Sequence, residues 1–361
     1  MGTALSADWM RPFALNFLYH ECAARMREWK SRQMRDFEPL FRNPHALTIL
    51  GNFWPRKYDF SRFPMEKRLV RTDEDTQVLV QTQRPAGEPV GEVVLLHGLE
   101  GNGDSGYIHS MAFDALSAGF VTHRFHMRSC GGTESLCKTL YHAGLTSDLQ
   151  AFLTSLRETA SGLPVFLVGF SLGGNVSLKL AGELGETELI DGVCAVSTPI
   201  DLAAGVRRLA KPENRIYERR FVERMRARIL ATGRYSETDL AGAETIYEID
   251  DRITARSFGF GGADRYYATQ SARNFLDSIR VPTLLIHAKD DVLVPFESYE
   301  HPAFASNRFL RVIATEHGGH LGFLARRAPR FWVDEVAIEF LRGVASGPPE
   351  NLETVRGGHS R

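Results

Sequence analysis

From about residue 66 the chain alternates short β-rich runs with longer stretches of helical period. Four runs are continuously apolar: Val93-Val94-Leu95-Leu96, Val165-Phe166-Leu167-Val168, Val193-Cys194-Ala195-Val196 and Leu284-Leu285-Ile286. Runs this short and uniform fit strands covered on both faces of a parallel sheet. Phe120–Phe125 and Phe309–Ile313 are less uniform but similarly bounded, and Thr76–Thr82 alternates apolar with polar, as a strand near a sheet edge does. Helical patterns near 108–118, 146–159, 175–184 and 332–342 lie between these runs. The alternation predicts a doubly wound α/β fold, with a mostly parallel central sheet and helices on both faces.

Residues from about 200 to 275 break that rhythm. Tyr217, Phe221, Met225 and Ile229 recur there at i+4, with arginines elsewhere, which marks an amphipathic helix. Set between two sheet strands, this stretch is expected to form a small helical lid over the carboxyl edge of the sheet. The domain reading has three parts. A leader over 1–60 is partly helical and then loop-like around Asn43-Pro44-His45 and Phe53-Trp54-Pro55. The main domain over 61–342 carries the insertion, and a flexible tail follows over 343–361.

Composition narrows the class. A chain of 361 residues has room for a large core, and 43% hydrophobic with 24% charged residues is ordinary for a globular protein. Lys+Arg of 43 against Asp+Glu of 44 leaves a net charge of -1 and gives no reason to expect a nucleic-acid partner. Cys22, Cys130, Cys137 and Cys194 form no C-x-x-C pair, so neither a zinc site nor a disulfide framework is expected. No run reaches membrane-spanning length and no secretory signal is visible, so the cytoplasm is the expected location. His109, His123, His126 and His142 lack metal-ligand spacing, and no metal or other cofactor is expected. The arginines of 207–228 alternate with Glu213, Glu218 and Glu223 and read as a solvated face. The apolar stretch Trp9–Tyr19 reads as a helix packed on the domain, so membrane-surface contact is not expected.

The chemistry centres on Gly169-Phe170-Ser171-Leu172-Gly173, which follows the apolar run ending at Val168 and opens into the helical pattern at 175–184. A G-x-S-x-G between strand and helix is a nucleophile elbow. The flanking glycines relieve collisions at a strained turn, and the helix start favours a developing anion. A serine hydroxyl is a weak nucleophile until a base takes its proton, and the base needs an acid to orient it. Candidates stand at the ends of the two remaining strands: Asp290 and Asp291 after Ala288-Lys289, and His317 and His320 in Glu316-His317-Gly318-Gly319-His320. His320 is the better base, because two glycines let its loop fold back over the sheet and Leu321-Gly322-Phe323 anchors the far side. His317 reads as a solvated loop residue. The oxyanion hole is expected from the N–H of Leu172, after the nucleophile, and of Leu99 in the turn His97-Gly98-Leu99-Glu100-Gly101-Asn102.

These segments resemble the YheT-like group of α/β-hydrolases, which includes the animal α/β-hydrolase-domain lipases. The likeness rests on His97–Asn102, Arg128-Ser129-Cys130-Gly131-Gly132, Tyr141-His142-Ala143-Gly144-Leu145-Thr146-Ser147-Asp148-Leu149, Gly169–Asn175, the Asp290-Asp291 turn and Gly318–Phe323. Asn43-Pro44-His45-Ala46-Leu47-Thr48 adds to it, so the resemblance runs from about 40 to 342. It implies the α/β-hydrolase fold and a serine hydrolase cleaving short-chain or lipid carboxylic esters. Members often read G-x-x-D-x-x-x-P in the turn that here carries Asp290-Asp291. Matching Ala288 and Pro295 to that pattern assigns the acid to Asp291, giving Ser171, Asp291 and His320 as the implied triad. Three positions depart from the group: Ser129 for glycine, Leu47 for glutamine and Val292 for proline. A thioesterase or amidase with the same triad is the alternative, and a non-catalytic scaffold is a further class. A haloalkane or epoxide hydrolase would carry aspartate at the elbow.

Overall fold

A computed structural model describes residues 35–159 and 161–346. The expectations for Trp9–Tyr19, for Cys22 and for the tail beyond 346 lie outside the described residues. Among the described residues eight strands form one sheet: β1 (Met65–Asp73), β2 (Thr76–Gln83), β3 (Gly91–Leu96), β4 (Phe120–Phe125), β5 (Val165–Phe170), β6 (Gly192–Val196), β7 (Thr283–Ala288) and β8 (Leu310–Thr315). Their order is β1-β2-β4-β3-β5-β6-β7-β8. Only β2 runs against its neighbours; every pair from β4 to β8 is parallel. This is the mostly parallel sheet that the apolar runs predict.

The five strands from β3 through β7 are buried at every position. Alternation decides which face each residue covers. Val93, Leu95, Phe166, Val168, Cys194 and Ile286 meet α2 (Gly106–Ser117) and α8 (Trp332–Ala345) on one side. Val94, Leu96, Leu167, Val193 and Leu285 meet α3 (Ser147–Glu158) and α4 (Leu172–Leu184) on the other. Burying each such aliphatic side chain is worth roughly 1.5–3 kcal/mol, so these two layers hold the sheet rim rigid.

Two elements were not legible as such. β1, Met-Glu-Lys-Arg-Leu-Val-Arg-Thr-Asp in composition, buries only Val70 and carries no alternation to read. The stretch between the two expected loops is helix α1 (Pro44–Phe53): Asn43 caps it by accepting the Ala46 N–H at 2.9 Å, and Pro44 occupies the first turn, where a missing N–H costs nothing. Between β6 and β7 the chain leaves the sheet for α5 (Leu202–Leu209), α6 (Arg215–Ala231) and α7 (Ala263–Gln270). Met225 and Ile229 of α6 are buried and Tyr217 and Phe221 partly so, as their spacing predicts.

Candidate active site

β5 delivers the chain to Ser171, which has φ 51 and ψ -120, and α4 starts at the next residue. A side chain at either flank would block this turn. A Cβ on Gly169 would sit 2.5 Å from the Gly173 carbonyl oxygen, and one on Gly173 would sit 2.5 Å from that of Leu96. The Ser171 N–H is anchored on the Val196 carbonyl at 2.8 Å, so the strained serine is fixed from the neighbouring strand.

The loops after β7 and β8 bring two more side chains to it. His320 Nε2 lies 3.0 Å from Ser171 Oγ, and His320 Nδ1 lies 2.9 Å from Asp291 Oδ2 and 3.2 Å from Oδ1. Asp291 Oδ1 also accepts the N–H groups of Leu293 and Val294 at 2.8 and 3.0 Å. Burial pushes the Asp291 carboxyl up, but the His320 charge and hydrogen bond, with the Leu293 N–H, hold it below the usual carboxylate range. Asp290 and His317 pair with each other instead, at 3.0 Å, and Asp290 Oδ1 accepts the Gly319 N–H at 2.9 Å. Asp290 thus bonds across to the histidine loop, where a turn aspartate would have bonded its own backbone.

The turn after β3 approaches the elbow from the other side. A Cβ on Gly98 would lie 3.1 Å from Ser171 Cβ. His97 is fully buried, and burial lowers its pKa to about 4, so the ring is neutral at pH 7. Its Nε2 accepts the Met127 N–H at 3.1 Å, which leaves Nδ1–H to donate to the Gly98 carbonyl at 2.8 Å. Within one trans peptide the C=O and N–H point opposite ways, so pinning the Gly98 oxygen also aims the Leu99 N–H. Leu172 is the first residue of α4, where the N–H has no intrahelical partner. Among the described residues neither of these two N–H groups has a protein acceptor.

Three features escaped the sequence. Thr48 Oγ1 accepts the His320 main-chain N–H at 2.8 Å, which ties the histidine loop to α1. Arg228 belongs to no solvated face: its Nε donates to Glu100 Oε1 at 2.9 Å, its Nη1 to Ser129 Oγ at 3.2 Å, and its guanidinium covers the Tyr141 ring at 4.5 Å. Its position beside Met225 and Ile229 on the buried stripe was the available signal. Ser129 itself sits at φ 56, where glycine is unstrained, and its hydroxyl oxygen, which a glycine would lack, accepts the Arg228 bond. The motif residues Arg128 and Asp148 form a two-pronged pair at 2.9 and 2.7 Å, bracing the same loops from below.

Two depressions meet at Ser171 and His320. One, of about 740 Å³, is walled by apolar side chains such as Leu202, Val206, Leu209, Met225 and Ile246. The other, of about 870 Å³, opens between α1 and α6. Among the described residues no group of three or more His, Cys, Asp or Glu side chains is placed to hold a metal ion. No described helix is long and apolar enough to cross a membrane.

The strand order and the elbow define the α/β-hydrolase class, and comparison with known proteins agrees. Residues 92–326 match the α/β hydrolase fold family. YheT of Escherichia coli, an esterase by name, is 33% identical over 318 residues, which cover 85% of this chain and 93% of that one. A monoacylglycerol lipase of Saccharomyces cerevisiae is 26% identical over 267 residues, covering 69% of this chain and 58% of its own length. Among solved structures, the Pyrococcus furiosus esterase Pf2001 shares the fold with a TM-score of 0.53 at 17% identity, covering 80% of this chain and 96% of that one. The chain belongs to the α/β-hydrolase fold family, within its YheT-like group.

Proposed function

We propose that the protein is a serine hydrolase of carboxylic esters, acting through Ser171, His320 and Asp291. The reading rests on one observation: Ser171 Oγ, the His320 ring and the Asp291 carboxylate form a continuous hydrogen-bonded line of 3.0 and 2.9 Å. His320 Nε2 takes the Ser171 proton as Oγ attacks the ester carbonyl, and Asp291 orients the imidazole and stabilises its charged form. The N–H groups of Leu99 and Leu172 receive the oxyanion, each typically worth about 3–4 kcal/mol in the transition state. His320 then protonates the departing alcohol, leaving an acyl-serine, and water activated by the same imidazole releases the acid. The steps use these side chains, the two main-chain N–H groups and water.

A small or lipid ester is the substrate in this reading, and the apolar pocket suits its acyl chain. The names of the yeast and Escherichia coli relatives support an acyl-ester substrate. Residues 61–342 form the catalytic domain, the helices within 200–275 serve as its lid, and the protein works in the cytoplasm. Thioesters and amides would engage the same triad, with the leaving group deciding between them. The test is turnover of p-nitrophenyl esters of graded acyl length by the full chain and by Ser171→Ala. The wild type should show a preferred acyl length, and Ser171→Ala should lose turnover by up to about 10⁶. Equal turnover by the two proteins would refute the assignment.

A further inference from the structure

The two depressions at Ser171 differ in their charged linings. The apolar pocket holds Arg228 and Asp250, and Arg228 is matched by the buried carboxylate of Glu100. The cleft between α1 and α6 holds Arg220 and Arg224, and no carboxylate lines it. Arg220, Arg224 and Arg228 follow one another at i+4, so they form a single stripe along α6. Like charges at that spacing oppose helix formation. The stripe is compensated only at its buried end. Nearby acids are engaged elsewhere: Glu223 pairs with Arg219 at 2.9 Å, and Glu218 is buried and bonded toward Ile246. The Arg220 guanidinium lies over the exposed Phe53 ring at 5.4 Å, held at the cleft wall by stacking, with no carboxylate against it among the described ion pairs. Arg224 has no described ion pair at all. Arg224 lines the same cleft as Gly98, Leu99 and Tyr107, beside the turn after β3.

Both arginines are exposed, so a neutral alcohol half would leave two guanidinium groups at the cleft wall matched by water alone. We propose that Arg220 and Arg224 form an anion subsite of this active site, so that the preferred ester carries a phosphate monoester on its alcohol half while its acyl chain enters the apolar pocket. Guanidinium groups bind phosphate through paired, charge-assisted hydrogen bonds, and an exposed pair on one wall leaves the phosphate solvated enough to enter and depart. The proposal rests on Ser171 being the nucleophile, because only then does the cleft receive the alcohol half.

Two measurements on the full chain separate the subsite from the chemistry. The first is calorimetric binding of decyl phosphate, decanol and inorganic phosphate to the wild type and to Arg220→Gln/Arg224→Gln. Decyl phosphate should bind tighter than either other probe, and its advantage over decanol should fall about tenfold or more in the double variant. The second is kcat/KM for 1-decanoylglycerol and its 3-phosphate. The wild-type preference for the phosphate ester should shrink by a similar factor in the double variant, mostly through KM, and should shrink with added salt. Arg220→Lys/Arg224→Lys should retain part of it. An unchanged phosphate-to-neutral ratio in the glutamine variant would overturn the subsite. Arginine-dependent binding of decyl phosphate without hydrolysis of either ester would instead overturn the Ser171 reading and leave the subsite standing. Equal response to inorganic phosphate and decyl phosphate would overturn the lipid-like ester as its occupant.

Discussion

Thr48 and His320 are 272 positions apart, and the threonine hydroxyl oxygen accepts the histidine main-chain N–H at 2.8 Å. The hydroxyl gives its own proton to the Pro44 carbonyl at 2.7 Å, so its lone pair is aimed at the loop. The helix and the loop are in close contact along this seam: a Cβ on Gly51 would lie 2.6 Å from Gly322 Cα. In the proposed mechanism Thr48 therefore acts through His320, as a positioning residue.

Thr48→Val keeps the shape and removes the acceptor. The buried N–H left behind costs about 1–3 kcal/mol, and a misplaced imidazole should lower kcat by about tenfold with KM little changed. Thr48→Ser should restore most of kcat, since it retains the oxygen. Kinetics on one p-nitrophenyl ester for the three proteins check this, and a valine variant with unaltered kcat would deny Thr48 the role.

The neighbouring aspartates should separate sharply. Asp291→Asn disturbs the tautomer and charge that His320 needs, and kcat should drop by about 10⁴. Asp290→Asn touches only His317 and Gly319, so its cost should fall on the loop and be far smaller than that of Asp291→Asn. Parallel kcat measurements decide it; the reverse order would move the acid to Asp290.

Asp250 predicts a pH-dependent stability. Burial raises its pKa to about 6, against hydrogen bonds from Tyr267 and Thr254 that lower it. The folded state therefore binds this proton more tightly than the unfolded chain, where the value is 3.8. Its contribution is fully present below pH 4 and is lost as pH rises to about 6, and each unit of such a shift is worth about 1.4 kcal/mol. Asp250→Asn removes this loss, so the variant should gain up to about 3 kcal/mol relative to wild type between pH 4 and pH 8. Urea unfolding at the two pH values measures it. A pH-independent difference would show that Asp250 does not titrate in this range.

The sheet and the elbow were readable because both are written locally. Continuous apolar runs mark strands covered on two faces, and the elbow needs its glycines within two residues of Ser171. The choice of Asp291 over Asp290 came from the family pattern, since spacing alone left the two carboxylates equivalent. Thr48, Ser129 and Arg228 were not readable, because each works through a partner far along the chain. Arg228 lies in a run of arginines most of whose other members are exposed, and only the fold shows that Glu100 waits beneath it. β1 was missed for the opposite reason: an edge strand exposed on both faces has no apolar pattern to betray it.

The central claim is that Ser171 is activated by His320, and labelling with a fluorophosphonate probe tests it most directly. The full chain should form one covalent adduct, mapped by peptide mass spectrometry to Ser171, and His320→Ala should slow its formation by orders of magnitude. A wild-type protein that fails to react, or that carries the adduct on another residue, would contradict the account.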